Sequence, residues 1–209
     1  MHSSDTTSFY RMRLPHWEVN RGVYFVTMHV QGSLPMEVLD SLRALSVEAE
    51  RDGESKLWQL RRQAFRLIEE ALDHRNDIDY LVRPEVAALC TEALRNRHQR
   101  GIWLMDEYVL MPNHIHLLFQ LRARELRPTM ESLKRWTTQH ARPILRLRGS
   151  LWQQEWFDHW SRSNEQDERI RMYIRNNPVK AGLVKDYREW PYGSWNDPEL
   201  DRATRSVSG

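Results

Sequence analysis

YVLMPNHIHLLFQ, residues 108–120, decides how this chain is read. With the residues before it, GIWLMDEYVLMPNHIHLLFQL (101–121) forms two strand-like runs joined at Met111-Pro112-Asn113, a β-hairpin. Side chains alternate across a strand. Ile115, Leu117, Phe119 and Leu121 therefore share one face as a core stripe, and His114 and His116 share the other. Two imidazoles at that spacing either pack as half-buried core residues or converge on a metal ion. The hydrolase pattern H-x-H-x-D-H fails, because Leu118 and Phe119 stand at its last two positions, and no H-E-x-x-H occurs. A single cysteine, Cys90, excludes an internal disulfide and a Cys-rich zinc site, and reads as a small buried hydrophobe.

Outward from the hairpin, GVYFVTMHV (22–30) is β-branched and aromatic and predicts a strand, closed by QGSLP. From Met36 to about Arg100 the pattern is helical, broken at Asp52-Gly53, with Pro84 where a first helical turn tolerates it. RPTMESLKRWTTQHARPIL predicts a helix opened at Pro128-Thr129 and disturbed by Pro143. SLWQQEWFDHWSRS reads as a short extended or irregular segment. NEQDERIRMYIRNN predicts a helix capped by Asn164 and ending about Asn177, because Pro178 disfavours helical geometry before it. Strands interrupted by helices, with one hairpin, give an α+β class: an antiparallel-dominated sheet with helices packed on it.

The chain has 209 residues, 40% hydrophobic and 29% charged, the composition of a globular domain with one core. No apolar run approaches the roughly 20 residues of a spanning helix, and the N-terminus lacks the apolar stretch of a signal peptide. The expected location is cytoplasmic, with no membrane partner. A net charge of +2 does not by itself suggest nucleic acid, but arginines cluster at 95–100, 122–127 and 142–148 among nine tryptophans. Guanidinium forks suit phosphates, and aromatic rings stack unpaired bases. Solvated helix faces and core tryptophans are the alternative.

The helix 164–177 supplies what the histidines lack. Tyr173 and Asn177 are one turn apart on one face. If that face packs on the histidine side of the sheet, an amide oxygen and a phenol join two imidazoles. Such a nitrogen and oxygen site suits Mg²⁺ or Mn²⁺, and the tyrosine is a candidate nucleophile on phosphorus. The plain alternative makes Tyr173 a half-buried amphipathic residue and Asn177 a helix stop. His29 and His159 are read as packing residues.

Four phrases, YVLMPNHIHLLFQ, ESLKRWTTQHA, LWQQEWFDHW and YIRNNPVKAGLV…EWPYGSW, in this order and spacing, closely resemble the REP-associated tyrosine transposases, relatives of the single-tyrosine HUH transposases. LPHWEVNRGVYFVTMHVQGSLP is similar to that family's opening strand. The resemblance implies a ferredoxin-like HUH endonuclease fold over 14–196, with a helical insertion within about 36–100, an N-terminal arm at 1–13 and a flexible tail at 197–209. It implies a divalent metal, Mg²⁺ or Mn²⁺, on His114, His116 and Asn177, with Tyr173 as nucleophile through a 5′-phosphotyrosine. The implied partner is single-stranded or hairpin DNA of palindromic repeat elements; the expected place is the cytoplasm, with the nucleoid, and the oligomeric state is open, with a monomer favoured. Arg13, Lys134, Arg135, Trp136, Arg175 and Lys180 are the candidate DNA contacts. A hairpin-binding protein that no longer cuts, of DNA or more remotely of RNA, is the competing expectation.

Overall fold

The computed structural model of the chain describes residues 6–11, 15–52, 54–74, 77–123 and 125–200. Among these residues lie six strands, β1 (Thr6–Arg11), β2 (Pro15–Val19), β3 (Val23–His29), β4 (Trp103–Leu110), β5 (His114–Leu121) and β6 (Phe157–Ser161), and five α-helices. The helices are α1 (Met36–Asp52), α2 (Glu54–His74), α3 (Pro84–Gln99), α4 (Leu126–Leu145) and α5 (Asn164–Lys180). Strands β4-β5-β3-β6 form one sheet in that order, every pairing antiparallel.

Taking α3 and α4 as the crossovers, the chain order is strand, helix, two strands, helix, strand, and the sheet order is that of the ferredoxin-like motif. The α+β class and the ferredoxin-like expectation are both met. One face of the sheet carries Leu117, Phe119, Leu121 and Trp103 against Leu94 of α3 and Met130 and Leu133 of α4, all buried. Each such side chain contributes roughly 1.5–3 kcal/mol on burial. The other face carries Phe25, Val109 and Leu118 against Ile174 of α5 and Leu60, Ala64, Ile68 and Leu72 of α2. Of the helical stretch 36–100, then, α3 belongs to the basic frame, and only α1 and α2 are added on the second face.

Several boundaries differ from the sequence reading. Helix α4 starts at Leu126, which puts Pro128 inside the first turn, where its missing N–H costs nothing, and it continues through Pro143 to Leu145. Arg146 then ends it in the left-handed region, φ 54°. Helix α5 is capped by Ser163 and not Asn164: the Ser163 side chain accepts from the Gln166 N–H at 3.2 Å. It runs through Pro178 to Lys180, and Gly182 at φ 71° turns the chain away. The extra turn keeps Asn177 helical, so packing of Ile174 and Asn177 on the sheet outweighs the pre-proline preference.

At the ends, part of the expected arm is structured: β1 pairs with β2, Phe9 opposite Trp17, as a separate two-stranded sheet. The expected flexible tail begins with anchored residues. Asp197, 4% exposed, accepts from Arg95 Nε at 2.8 Å and from the Tyr108 hydroxyl at 2.8 Å, and Leu200 enters the core.

Candidate active site

Hairpin β4–β5 places the histidines. Its turn is closed by the Met111 N–H donating to the His114 carbonyl at 2.8 Å, and alternation then buries His114 and His116 on the second face, opposite Ile115 and Leu117. Strand β3 lies alongside in register, Thr27 facing His116 and His29 facing His114. Helix α5 crosses this face with Tyr173 and Asn177 pointing at the rings. Asn177 Nδ2 is 3.1 Å from His116 Nε2, and the Tyr173 and His116 ring centres are 5.4 Å apart.

The proton on His114 can be assigned from its neighbours. Asn113 Nδ2 donates to the Leu72 carbonyl at 3.0 Å, which turns Asn113 Oδ1 to His114 Nδ1 at 2.7 Å. The proton therefore sits on Nδ1, and Nε2 presents a lone pair. On His116, Nδ1 meets the Thr27 hydroxyl at 2.9 Å. The two Nε2 atoms face each other at 3.1 Å. Burial, with His29 adding to it, holds His114 at about 3, and burial pushes His116 well below the ordinary imidazole value. Both rings are neutral at physiological pH, the form that binds metals.

Two oxygens close by have no hydrogen-bond partner among the described residues: Asn177 Oδ1 and Glu69 Oε1. An orphaned buried oxygen costs free energy unless something answers it. Two imidazole lone pairs and an amide oxygen in one buried spot fit a divalent cation of the Mg²⁺ or Mn²⁺ kind. As the side chains stand, no three His, Cys, Asp or Glu donors among the described residues already surround one point. The side chains brought together here are two imidazoles and an amide.

Glu69 is the residue that the sequence reading missed. It comes from α2, is 4% exposed, accepts the Tyr173 hydroxyl on Oε2, and brings that oxygen to 3.6 Å from His116 Nε2. Burial, then the charge of Asp73 one turn on, push its carboxyl up to about 8, against the pull of Lys180 and a hydrogen bond from Asn177. The signal was present: Ala64, Ile68 and Leu72 mark the apolar stripe of α2, and a glutamate beside that stripe is out of place unless it is used. His29, read as packing, is buried beside His114, with neither ring nitrogen bonded and its value lowered by burial to about 3.

Tyr173 is half-buried, its ring against Phe25, Phe65 and His116 at 5.8, 5.7 and 5.4 Å. It opens onto a cleft of about 650 Å³ between α2, β6 and α5, walled by Phe25, Phe65 and Phe157 and rimmed by Arg62 and Arg169. His159 lines this cleft and is hydrogen-bonded to Gln166 at 2.6 Å.

The five candidate DNA contacts among the described residues do not form one surface. Lys134 donates to the Gln153 and Gln154 carbonyls at 2.6 Å each and lies over the Trp156 ring, so it pins a loop. Trp136 packs against the core of the opposite face and stacks on His140 at 4.0 Å, and Arg135 is exposed on that same helix. Arg175 pairs with Glu107 at 2.7 Å, and Lys180 pairs with Asp73 at 2.8 Å, both on the site's side. Arg13 lies outside the described residues. The cleft arginines Arg62 and Arg169 were not singled out from sequence.

Comparison with known proteins agrees with this geometry. Residues 75–177, which span both histidines, Tyr173 and Asn177, match the family of IS200-like transposases. A protein of Haemophilus influenzae assigned to the REP-associated tyrosine transposases is 28% identical over 98 residues, covering 42% of this chain and 56% of the relative. The match thus spans little more than half of that relative's length. The solved structure of a REP-associated tyrosine transposase bound to a REP hairpin superposes with a TM-score of 0.58 at 16% identity, covering 97% of this chain and 86% of that one. The family and relative bear out the resemblance carried by the sequence phrases, and the solved structure bears out the fold. Among the described residues no helix is long and apolar enough to cross a membrane.

Proposed function

We propose that this relative of the REP-associated tyrosine transposases cuts and rejoins single-stranded DNA at the foot of a repeat hairpin, with Tyr173 as nucleophile. The observation that carries the reading is the meeting of Tyr173 and Asn177 with both histidines, four side chains from two distant segments in one cluster. His114, His116 and Asn177 would hold a divalent cation, Mg²⁺ or Mn²⁺, whose chemistry there is to withdraw charge from a scissile phosphate. Thr27 and Asn113 fix the two rings by their Nδ1 atoms. Asn177, on the last turns of α5, ties the nucleophile's helix to the sheet.

Tyr173 attacks phosphorus in line. The bond to the 3′-oxygen breaks, a free 3′-hydroxyl leaves, and the 5′-phosphate remains on the phenol oxygen. When the Glu69 carboxyl is ionised, its hydrogen bond gives the phenol proton an exit. Because the phosphotyrosine keeps the energy of the phosphodiester, a second 3′-hydroxyl reverses the step without a nucleotide cofactor. The aromatic and arginine-rimmed cleft beside Tyr173 suits an unpaired strand, with bases on Phe65 and Phe157 and phosphates on Arg62 and Arg169. A duplex offers no such extended strand, so a stem with an unpaired foot is the substrate that fits.

The competing reading is a hairpin binder that no longer cuts. It draws on the closure of the site: His114, His116 and Asn177 are at most 1% exposed. An end-labelled hairpin oligonucleotide with an unpaired foot, incubated with Mn²⁺, separates the two. The wild-type chain is expected to give a covalent protein–DNA band that maps to Tyr173 by mass spectrometry. Tyr173→Phe, which keeps the ring and loses one oxygen, should bind the hairpin and give no band. Binding without a band in the wild type would favour the silent binder, and a phosphotyrosine at another position would remove Tyr173 from the role.

A further inference from the structure

We infer that Glu69, carried by the added helix α2, is a fourth ligand of the cation site, giving Oε1 to the cation while Oε2 keeps the Tyr173 hydroxyl. The inference rests on the cation site proposed above and adds a residue from outside the ferredoxin-like frame.

Three observations lead to it. The first is an imbalance. Glu69 is buried with Oε1 unanswered, and Asn177 Oδ1 beside it is unanswered too. A carboxyl buried in this way keeps a charge only beside a positive partner. The nearby Lys180 ammonium sits on Asp73 at 2.8 Å. A cation between these groups answers both oxygens and both ring lone pairs together.

The second is spacing. Donors about 2.1 Å from one metal stand roughly 3.0 Å apart at right angles and roughly 3.4 Å apart at the tetrahedral angle. Here His114 Nε2 and Asn177 Nδ2 are each 3.1 Å from His116 Nε2, and Glu69 Oε2 is 3.6 Å from it. The first two are separations of neighbouring vertices of one coordination shell, and the third is slightly wider. Rotating the Asn177 amide puts its oxygen where the nitrogen stands, and a small turn of the Glu69 carboxylate brings Oε1 inward.

The third is placement. Glu69 touches the nucleophile and a metal-site imidazole with the same carboxylate. A bridge of that kind ties the phenol to the cation that acts on the phosphate. It also gives α1 and α2 a task, because without α2 the site would be left with neutral ligands only. Two neutral imidazoles and an amide hold Mg²⁺ weakly, whereas a carboxylate is the oxygen donor this ion prefers.

The test needs no DNA and no turnover. The full chain, stripped with EDTA, is titrated with Mn²⁺ while the free-ion electron paramagnetic resonance signal is followed. The wild type should bind one equivalent. Glu69→Gln, of equal size and without charge, should weaken binding at least about tenfold, and Glu69→Met, a second variant with no oxygen donor, should show the same loss. Asp73→Asn, one turn away, should bind within about twofold of wild type. The Mn²⁺-induced rise in melting temperature should vanish with Glu69→Gln, whose metal-free melt certifies the fold. Wild-type affinity in Glu69→Gln alongside loss in His116→Ala would overturn the role of Glu69 and leave the histidine site standing. A wild-type chain that binds no Mn²⁺ would remove the cation site and Glu69 with it.

Discussion

His116 and Leu117 are neighbours on β5 and equally hidden, both 0% exposed, yet they face opposite sides of the sheet. On the Leu117 side, α3 and α4 close over an apolar core that leaves the indole N–H of Trp160 without an acceptor among the described residues but answers others. Trp103 Nε1 donates to the Leu94 carbonyl at 3.3 Å, and Trp152 Nε1 donates to Thr137 at 2.7 Å. On the His116 side, α2 and α5 close over a mixture of aromatic rings and titratable groups. There His29, Glu69 and Asn177 all keep polar atoms without partners. One face is nearly finished as protein, and the other leaves oxygens and imidazole nitrogens open until something polar or charged is added. Buried polar atoms left unanswered cost stability, so their concentration on one side of one sheet marks where binding and chemistry belong.

The largest expected effect separates the two faces outright. Phe119→Ala should cost about 3–5 kcal/mol of folding stability, the usual range for emptying a core aromatic site. Its remaining folded fraction should still form the DNA adduct. His116→Ala should do the reverse: no adduct and no Mn²⁺ uptake, at a stability cost of about 1–2 kcal/mol, because removing the ring also removes its desolvated nitrogens. Urea melts and adduct assays on both variants check this. Equal stability losses, or an active His116→Ala, would mean that the faces are not divided in this way.

The finished face was easy to read in the sequence, and the unfinished one was read in part. Ile115, Leu117, Phe119 and Leu121 announce a buried strand by period alone, and the pairing of Tyr173 with Asn177 follows from helical geometry. What spacing could not show is which residue of a long helix meets which residue of a strand. Glu69 lies 47 positions before His116 and 104 before Tyr173, on a helix whose packing side depends on tertiary closure. Its position beside the Ala64, Ile68 and Leu72 stripe was the one trace it left. Lys134 shows the opposite limit: a lysine beside an arginine and a tryptophan looks like a DNA contact, and in the structure two carbonyls from the next loop hold it. The extension of α5 past Pro178 was hidden because a local preference of one residue cannot report the packing that overrides it.

A smaller effect concerns acid. His29 has a folded value of about 3, below its unfolded value near 6.5, so the stability tied to its neutral ring is complete above pH 6.5. That stability drains away as the pH falls from 6.5 towards 3, as the unfolded chain takes up the proton first. Linkage puts the loss from this one ring at about 2 kcal/mol by pH 5. His29→Phe, which fills the place without a titrating group, should flatten the metal-free stability profile between pH 7 and 5 relative to wild type. Parallel slopes in urea melts across that range would show that His29 is solvated and that the site's face is less dry than its geometry indicates.

The smallest expected effect tests how finely the unfinished face is built. Thr27 reaches His116 Nδ1 from the neighbouring strand with its hydroxyl at 2.9 Å and is itself 1% exposed. If the ring donates this proton, Nε2 is left as the lone pair facing His114, the tautomer that a metal site requires. Thr27→Val keeps the shape of the side chain and removes the acceptor. The buried Nδ1–H would then lack a partner, and the ring could exchange tautomers or tilt. Mn²⁺ affinity should fall by about tenfold, the lower end of the range for a group that orients a metal-bound histidine, equivalent to about 1.4 kcal/mol. Thr27→Ser retains the hydroxyl and should bind within about twofold of wild type. The same Mn²⁺ titration reads both variants. An undiminished Thr27→Val would mean that packing against Phe25, whose ring stacks on His116 at 5.5 Å, suffices to hold the imidazole. The polar order of this face would then begin at the ligands themselves and not one residue behind them.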